Sequence, residues 1–142
     1  MKQFMLYVSE KDSKDIYPDN NPRAFAVQLP QILILEGQWS CCIKKVHLNT
    51  VNVIQAPLAI CCDFCDENYH YGRNEQVLMD FILKSEGGWR EYEPYCPDNY
   101  TSIKNNSLRI IRFRLDGDTT NVVSELRLHL HFKKENYGSC VG

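Results

Sequence analysis

Cysteine and histidine are the residues of this chain best suited to chemistry. Cys62-Asp63-Phe64-Cys65 has the C-x-x-C spacing at which two thiolates grip zinc or exchange disulfides, and His70 follows five residues on. A closed structural zinc site needs four ligands, and no second pair stands at a matching spacing, so the balance falls to cysteines buried in a strand. A thioredoxin-like role needs the motif at a helix N-terminus, whereas here it ends an apolar stretch beside Asp63, Asp66 and Glu67, which raise a thiol pKa. No local signature of a nucleophile surrounds any cysteine or histidine. The phosphate-cradling, dinucleotide, zinc-protease and nucleophile-elbow motifs are all missing. The expectation is a protein with no catalytic residue, cofactor, metal or small-molecule substrate.

Two other groupings invite a binding role. Arg109, Arg112, Arg114 and Arg127 fall on two strands read as neighbours and would suit a phosphate, but Asp116, Asp118 and Glu125 interleave with them, and a solvated sheet face is the preferred reading. Trp89, Tyr92, Tyr95 and Tyr100 crowd the long connection Glu86–Ser107 together with Pro94 and Pro97. Rigid aromatic and proline residues bury area at low entropic cost, so these four are the candidate oligomer interface.

Positioning these residues falls to strands. Leu126, Leu128, Leu130 and Phe132 alternate with Arg127, His129, His131 and Lys133, which separates a core face from a polar face. Phe4, Leu6 and Val8, and Phe25, Val27 and Leu29 before Pro30, alternate in the same way. From Trp39 to Leu48 the apolar phase is odd through Ile43 and even from Val46, a shift that one extra residue near Lys44-Lys45 would produce. Further strands are expected at Ile32–Leu35, Leu58–Cys65, Val77–Leu83 and Leu108–Leu115, with a helical turn as the competing reading of Asn74–Lys84. About eight short strands with long connections at Glu10–Arg23 and Glu86–Ser107 fit an all-β fold: an antiparallel two-sheet sandwich, best matched by a single jelly roll.

The 142 residues fit one domain, 1–142, and 44% hydrophobic content is enough for its core. A net charge of −2 supplies no excess of clustered cations for a nucleic-acid partner. Apolar runs such as Ile32–Leu35 are far short of the roughly 20 residues that cross a bilayer, so no membrane role is expected. An odd count of seven cysteines, with adjacent pairs in apolar stretches, points to a reduced, intracellular place of assembly. In Tyr17-Pro18-Asp19-Asn20 the proline holds the chain extended and Asp19 and Asn20 can close an Asx-turn, while Gly37 permits the positive φ that turns Trp39 into the core. Tyr17, Pro18, Asn20, Gly37 and Trp39 are therefore read as fold determinants.

Those same residues, with Phe25, Leu29-Pro30 and Leu35-Glu36-Gly37-Gln38-Trp39, form a Y-P-x-N…F…L-P…L-x-G-x-W series. It resembles the opening of capsid-type proteins carried by Polinton/Maverick elements and the related adintoviruses. Ala59-Ile60-Cys61-Cys62-Asp63 with Gly72 downstream resembles the middle strand of that family, and Leu130-His131-Phe132-Lys133 its closing L-H-F-R. This chain joins its Trp39 and Leu58 strands through Thr50–Pro57 alone, where the family carries an insertion. The resemblance implies a penton-like minor capsid protein of the virion, a single jelly roll that assembles side to side as a homopentamer and meets a major capsid protein. The competing class is a non-enzymatic β-sandwich binding module, such as a virus- or transposon-derived adaptor or receptor-binding domain, which would remain monomeric.

Overall fold

The alternating segment near the C-terminus becomes β11 (Val123–Lys134), whose inward residues Leu126, Leu128, Leu130 and Phe132 are fully buried while Arg127 is exposed. The computed structural model describes residues 2–52, 54–70, 73–94, 99–117 and 122–135, and within them there is no α-helix. One sheet runs β1 (Gln3–Ser9), β11, β3 (Trp39–Thr50), β8 (Gly88–Tyr92), with the short β9 (Thr101–Ser102) also beside β3. The other runs β2 (Ala24–Ile34), β10 (Ser107–Asp116), β4 (Ile54–Cys62), β7 (Val77–Ser85). A small hairpin of β5 (Asn68–His70) and β6 (Arg73–Glu75) stands apart. All strand pairings are antiparallel, and the chain crosses repeatedly from one sheet to the other, which is the jelly-roll winding.

Aromatic rings join the two inner faces. Phe64 follows β4 and meets Phe113 of one sheet edge-on at 5.8 Å and Phe132 of the other, stacked at 5.9 Å. Phe4 stacks on the far side of Phe132 at 4.7 Å. The phase change in β3 is a bulge: Ile43 pairs with Leu130 and Lys45 with His129, leaving Lys44 as the extra residue.

Three local expectations need correction. Ile32–Leu35 is not a separate strand, because β2 runs on through Pro30 to Ile34. The ladder there jumps from Gln28↔Ile110 to Leu33↔Leu108, so Pro30 sits in an irregularity that asks for no donor. The window Asn74–Lys84 carries β6 and β7 rather than a helical turn. Finally, Glu86–Ser107 is not all loop, since Gly88–Tyr92 pairs with β3 as an edge strand.

Gly37 adopts φ 85°, and the buried Trp39 beyond it donates its indole N–H to the Glu36 carbonyl at 2.9 Å. Asn20 is buried and pairs with the free edge of β2 as another strand would. Its amide accepts from the Ala26 N–H at 2.9 Å and donates to the Ala26 carbonyl at 2.8 Å. Ser13 accepts the N–H of Gln28 at 2.9 Å, so the connection after β1 lies along that edge. Asn20→Ala leaves both Ala26 groups without their partner in a buried place. We expect a loss of about 2 kcal/mol or more in chemical denaturation, since each buried group left unsatisfied costs ~1–3 kcal/mol. A loss under about 0.5 kcal/mol, the range of neutral surface changes, would show that water replaces the amide at no cost.

Candidate functional site

The five described thiols are packed away. Cys41 on β3, Cys62 on β4 and Cys65 beyond it lie in the core between the sheets, and Cys42 and Cys61 are buried on the outer sides of their strands. Burial pushes the Cys41 thiol well up and Cys61 up to about 11. Cys65 is raised by its hydrogen bond with Cys62 and by burial. Cys62 moves the other way: against its burial, the hydrogen bond with Cys65 and the backbone at Phe64 and Cys65 lower it. All of these thiols are enclosed, and a thiol out of reach of solvent is a poor nucleophile. Among the described residues no three of His, Cys, Asp and Glu group closely enough to hold a metal ion. His70 falls in β5, while Gly72, Tyr95, Cys96, Pro97 and Cys140 lie outside the described residues.

The four arginines do not form one cluster. Arg109, Arg112 and Arg114 point outward from β10, but β11 belongs to the opposite sheet, so Arg127 is on the other side of the molecule. Arg112 and Arg114 border an open cleft of about 870 Å³ with Tyr17, Pro18, Asn20 and Cys61. Asp63 lies 3.7 Å from the Arg112 guanidinium and also accepts that residue's backbone N–H at 3.0 Å, and Asp116 lies 3.6 Å from Arg114. The cleft walls are thus acid–base pairs rather than a cationic cradle.

The structure also separates the aromatic residues. Trp89 is 45% exposed on the outer face of the first sheet, with the Arg127 guanidinium 4.7 Å from its ring centroid. Tyr92 turns inward against Phe81 at 5.0 Å, and its hydroxyl binds the backbone N–H and carbonyl of Lys84 at 3.0 and 2.8 Å. Tyr100 belongs to the far end of β3, where its hydroxyl meets His131 Nδ1 at 2.7 Å and the Lys133 ammonium sits 4.0 Å from its ring. Trp89 faces Asn49 while Tyr100 precedes the residue facing Cys41, so about eight strand residues, roughly 26 Å, lie between them.

The outer face of the first sheet instead carries a contact network that the sequence concealed. Tyr7 meets His129 edge-on at 4.7 Å, His129 meets His47 at 4.9 Å, and Glu91 lies 3.1 Å from Lys45 and 3.5 Å from His47. Glu91 is pulled below the usual carboxylate range by Lys45, and Lys45 is raised in return. His129 is lowered by burial and then by His47 and Lys45, with Glu91 opposing; His131 is lowered by burial and then by Lys44 and Lys133. Alternation had already placed His129 and His131 outward, but not their partners on β1, β3 and β8. This face can respond to acid through its histidines, and its described residues bring together no nucleophile, base and orienting group.

No family model and no curated protein matches the sequence. The fold is similar to that of a viral penton protein. The crystal structure of the mavirus penton protein superposes with a TM-score of 0.60 over 94% of this chain and 100% of its own, at 6% identity. A virus-like particle of the extra small virus of the giant freshwater prawn Macrobrachium rosenbergii matches 94% of this chain and 79% of its own, at a TM-score of 0.34 and 7% identity. At such identities the likeness is one of fold.

The histidines give a pH dependence with a definite sign. His129 and His131 bind protons less readily when folded than at their ordinary pKa of 6.5, so the unfolded chain takes up more protons. Their contribution to stability is fully present above pH 6.5 and is lost as pH falls below it through the folded values. We expect denaturation midpoints to fall between pH 7.5 and 5.5, and the double variant His129→Gln/His131→Gln to flatten that slope. An unchanged slope in the variant assigns the effect to other groups.

Proposed function

We propose that this chain is a virion structural protein, a penton-like minor capsid subunit folded as one domain over residues 1–142. In this reading it assembles with itself as a pentamer through side-to-side contacts and meets a major capsid protein in the shell. The observation that carries it is the extent of the fold likeness, which takes in nearly all of this chain and the whole of the mavirus penton protein. The nature of the surfaces adds support. The described thiols are enclosed, and Arg112 and Arg114 face Asp63 and Asp116, whereas Trp89, Tyr7 and Met5 are large, partly exposed side chains on one sheet face. Ring assembly uses contacts of this lateral kind rather than a deep pocket.

Of the four aromatic candidates, Trp89 is the one we assign as the interface anchor, because Tyr92 and Tyr100 are engaged within the chain. Truncating such an anchor typically costs about 2 kcal/mol or more at an interface and little on a solvated surface. Trp89→Ala should therefore weaken oligomerisation, or incorporation into particles, while circular dichroism and the unfolding midpoint stay near those of the parent. Light scattering is expected to report a pentamer of the 16.6 kDa chain for the assembled species. A chain that is monomeric at all concentrations, absent from purified particles and indifferent to Trp89→Ala would overturn this reading in favour of a binding module.

A further inference from the structure

The two sheets treat their edges differently. In the second sheet, Asn20 takes both backbone groups of Ala26 on β2, and the Tyr92 hydroxyl takes both backbone groups of Lys84 on β7. A neighbouring strand would have to displace these side chains. In the first sheet, no described side chain does this over the middle of either edge strand.

The hydrogen-bond pattern identifies which peptide groups lie open. Lys134 donates to the Lys2 carbonyl at 2.8 Å, so the even residues of β1 face β11. At Ser9 the N–H goes to the Asp12 carboxylate at 2.8 Å and the carbonyl accepts from the Asp12 N–H at 3.1 Å, so the odd residues face away. Gln3, Met5 and Tyr7 therefore turn their peptides out of the edge. On β11 the N–H of Leu126 is turned toward the β1 side, where Glu10 accepts it at 3.0 Å, so Arg127 and the other odd residues bond to β3. His47, opposite Arg127, then faces β11, and Val46, Leu48 and Thr50 face Tyr92, Arg90 and Gly88. Trp89 and Glu91 are left with outward peptides.

We propose that these two edges are made for each other: β1 of a second copy of this chain adds beside β8, continuing the sheet from subunit to subunit. The inference rests on the reading of the chain as a shell subunit and names the seam. Along β1, β11, β3 and β8 every pairing is antiparallel, so β1 and β8 run in opposite directions. A copy carried around a ring keeps its orientation and brings its β1 antiparallel to β8, preserving the alternation. The contact is heterologous, as ring closure requires. Pairing Tyr7 with Trp89 and Met5 with Glu91 matches outward peptide to outward peptide and keeps all four side chains on the outer face. Charge agrees at one end, since in this register Lys2 before β1 comes beside Glu93 after β8; at the other end Lys11 already meets Glu125 at 3.2 Å. With five residues on the β8 side the seam is short, so a single contact is weak and ring closure supplies the remainder.

Proline on an edge strand removes an outward donor at little cost to the fold, which makes it the probe. Met5→Pro and Glu91→Pro, each alone, should raise the concentration needed for assembly at least tenfold, and by several times more than Met5→Ala and Glu91→Gln, which change the same side chains but keep the peptide N–H. Mixed one to one, the two proline variants should form a dimer and stop, because one copy keeps a working β8 and the other a working β1. Should a proline variant not fold, charge provides the second test: Tyr7→Glu/Trp89→Glu should abolish assembly, and Tyr7→Lys/Trp89→Glu should assemble at a concentration at least threefold below that of the double glutamate. Proline or paired-glutamate variants that assemble like the parent would overturn the seam and leave the shell reading intact. A mixture in which cross-linking at high concentration captures no more dimer than either variant gives alone would also overturn it. A parent chain that never assembles, alone or in particles, would overturn both.

Discussion

Two sheets remain together only while each inward side chain finds a partner across a gap of about 10 Å. Here that condition is met along one line, where Phe113, Phe64 and Phe132 pass from the second sheet to the first and Phe4 closes the far side. Phe64 belongs to neither sheet, and it can enter the gap only because the chain leaves the β4 ladder after Cys62. The buried thiols of Cys41, Cys62 and Cys65 share this core. The raised proton affinity of Cys41 and Cys65, the register of β11 and the placement of the histidines on its outer side all follow from holding Phe132 and the leucines before it inward.

The architecture was legible where one face of a strand is buried. Period two named β11, and the change of phase between Ile43 and Val46 placed a bulge near Lys44-Lys45, where Lys44 is the extra residue. β8 escaped because an edge strand with four of its five residues exposed, Tyr92 alone half-buried, leaves no alternation to read. Pro30 misled for a different reason: a proline normally ends a strand, but an irregular stretch of ladder has no hydrogen bond for it to break. The arginines of β10 and β11 were grouped because consecutive strands often pair, whereas a jelly roll sends consecutive strands to opposite sheets.

The surface was harder to read than the core, and for a reason that is general. A polar residue on an outward face looks the same in sequence whether it meets water, a histidine ring or an arginine. Nothing local distinguishes Tyr92, which closes the edge of β7, from Trp89, which lies on the outer face beside an open one. Asn20 was recognised as a turn residue, yet its larger role comes from Ala26, six positions on, whose two backbone groups it receives. Such side-chain-to-edge pairings are long-range facts that local propensity does not encode.

The sealed thiols have a consequence for the material such subunits would form. The five described cysteines are all buried, and those with resolved upward shifts are held protonated. A thiol of this kind meets an oxidant or an alkylating reagent only when the sheets part, so its rate of modification counts openings of the fold rather than the redox potential outside. A particle built this way would keep these five thiols unmodified through a change of chemical surroundings, and wear at them would accumulate first in the copies that had begun to open.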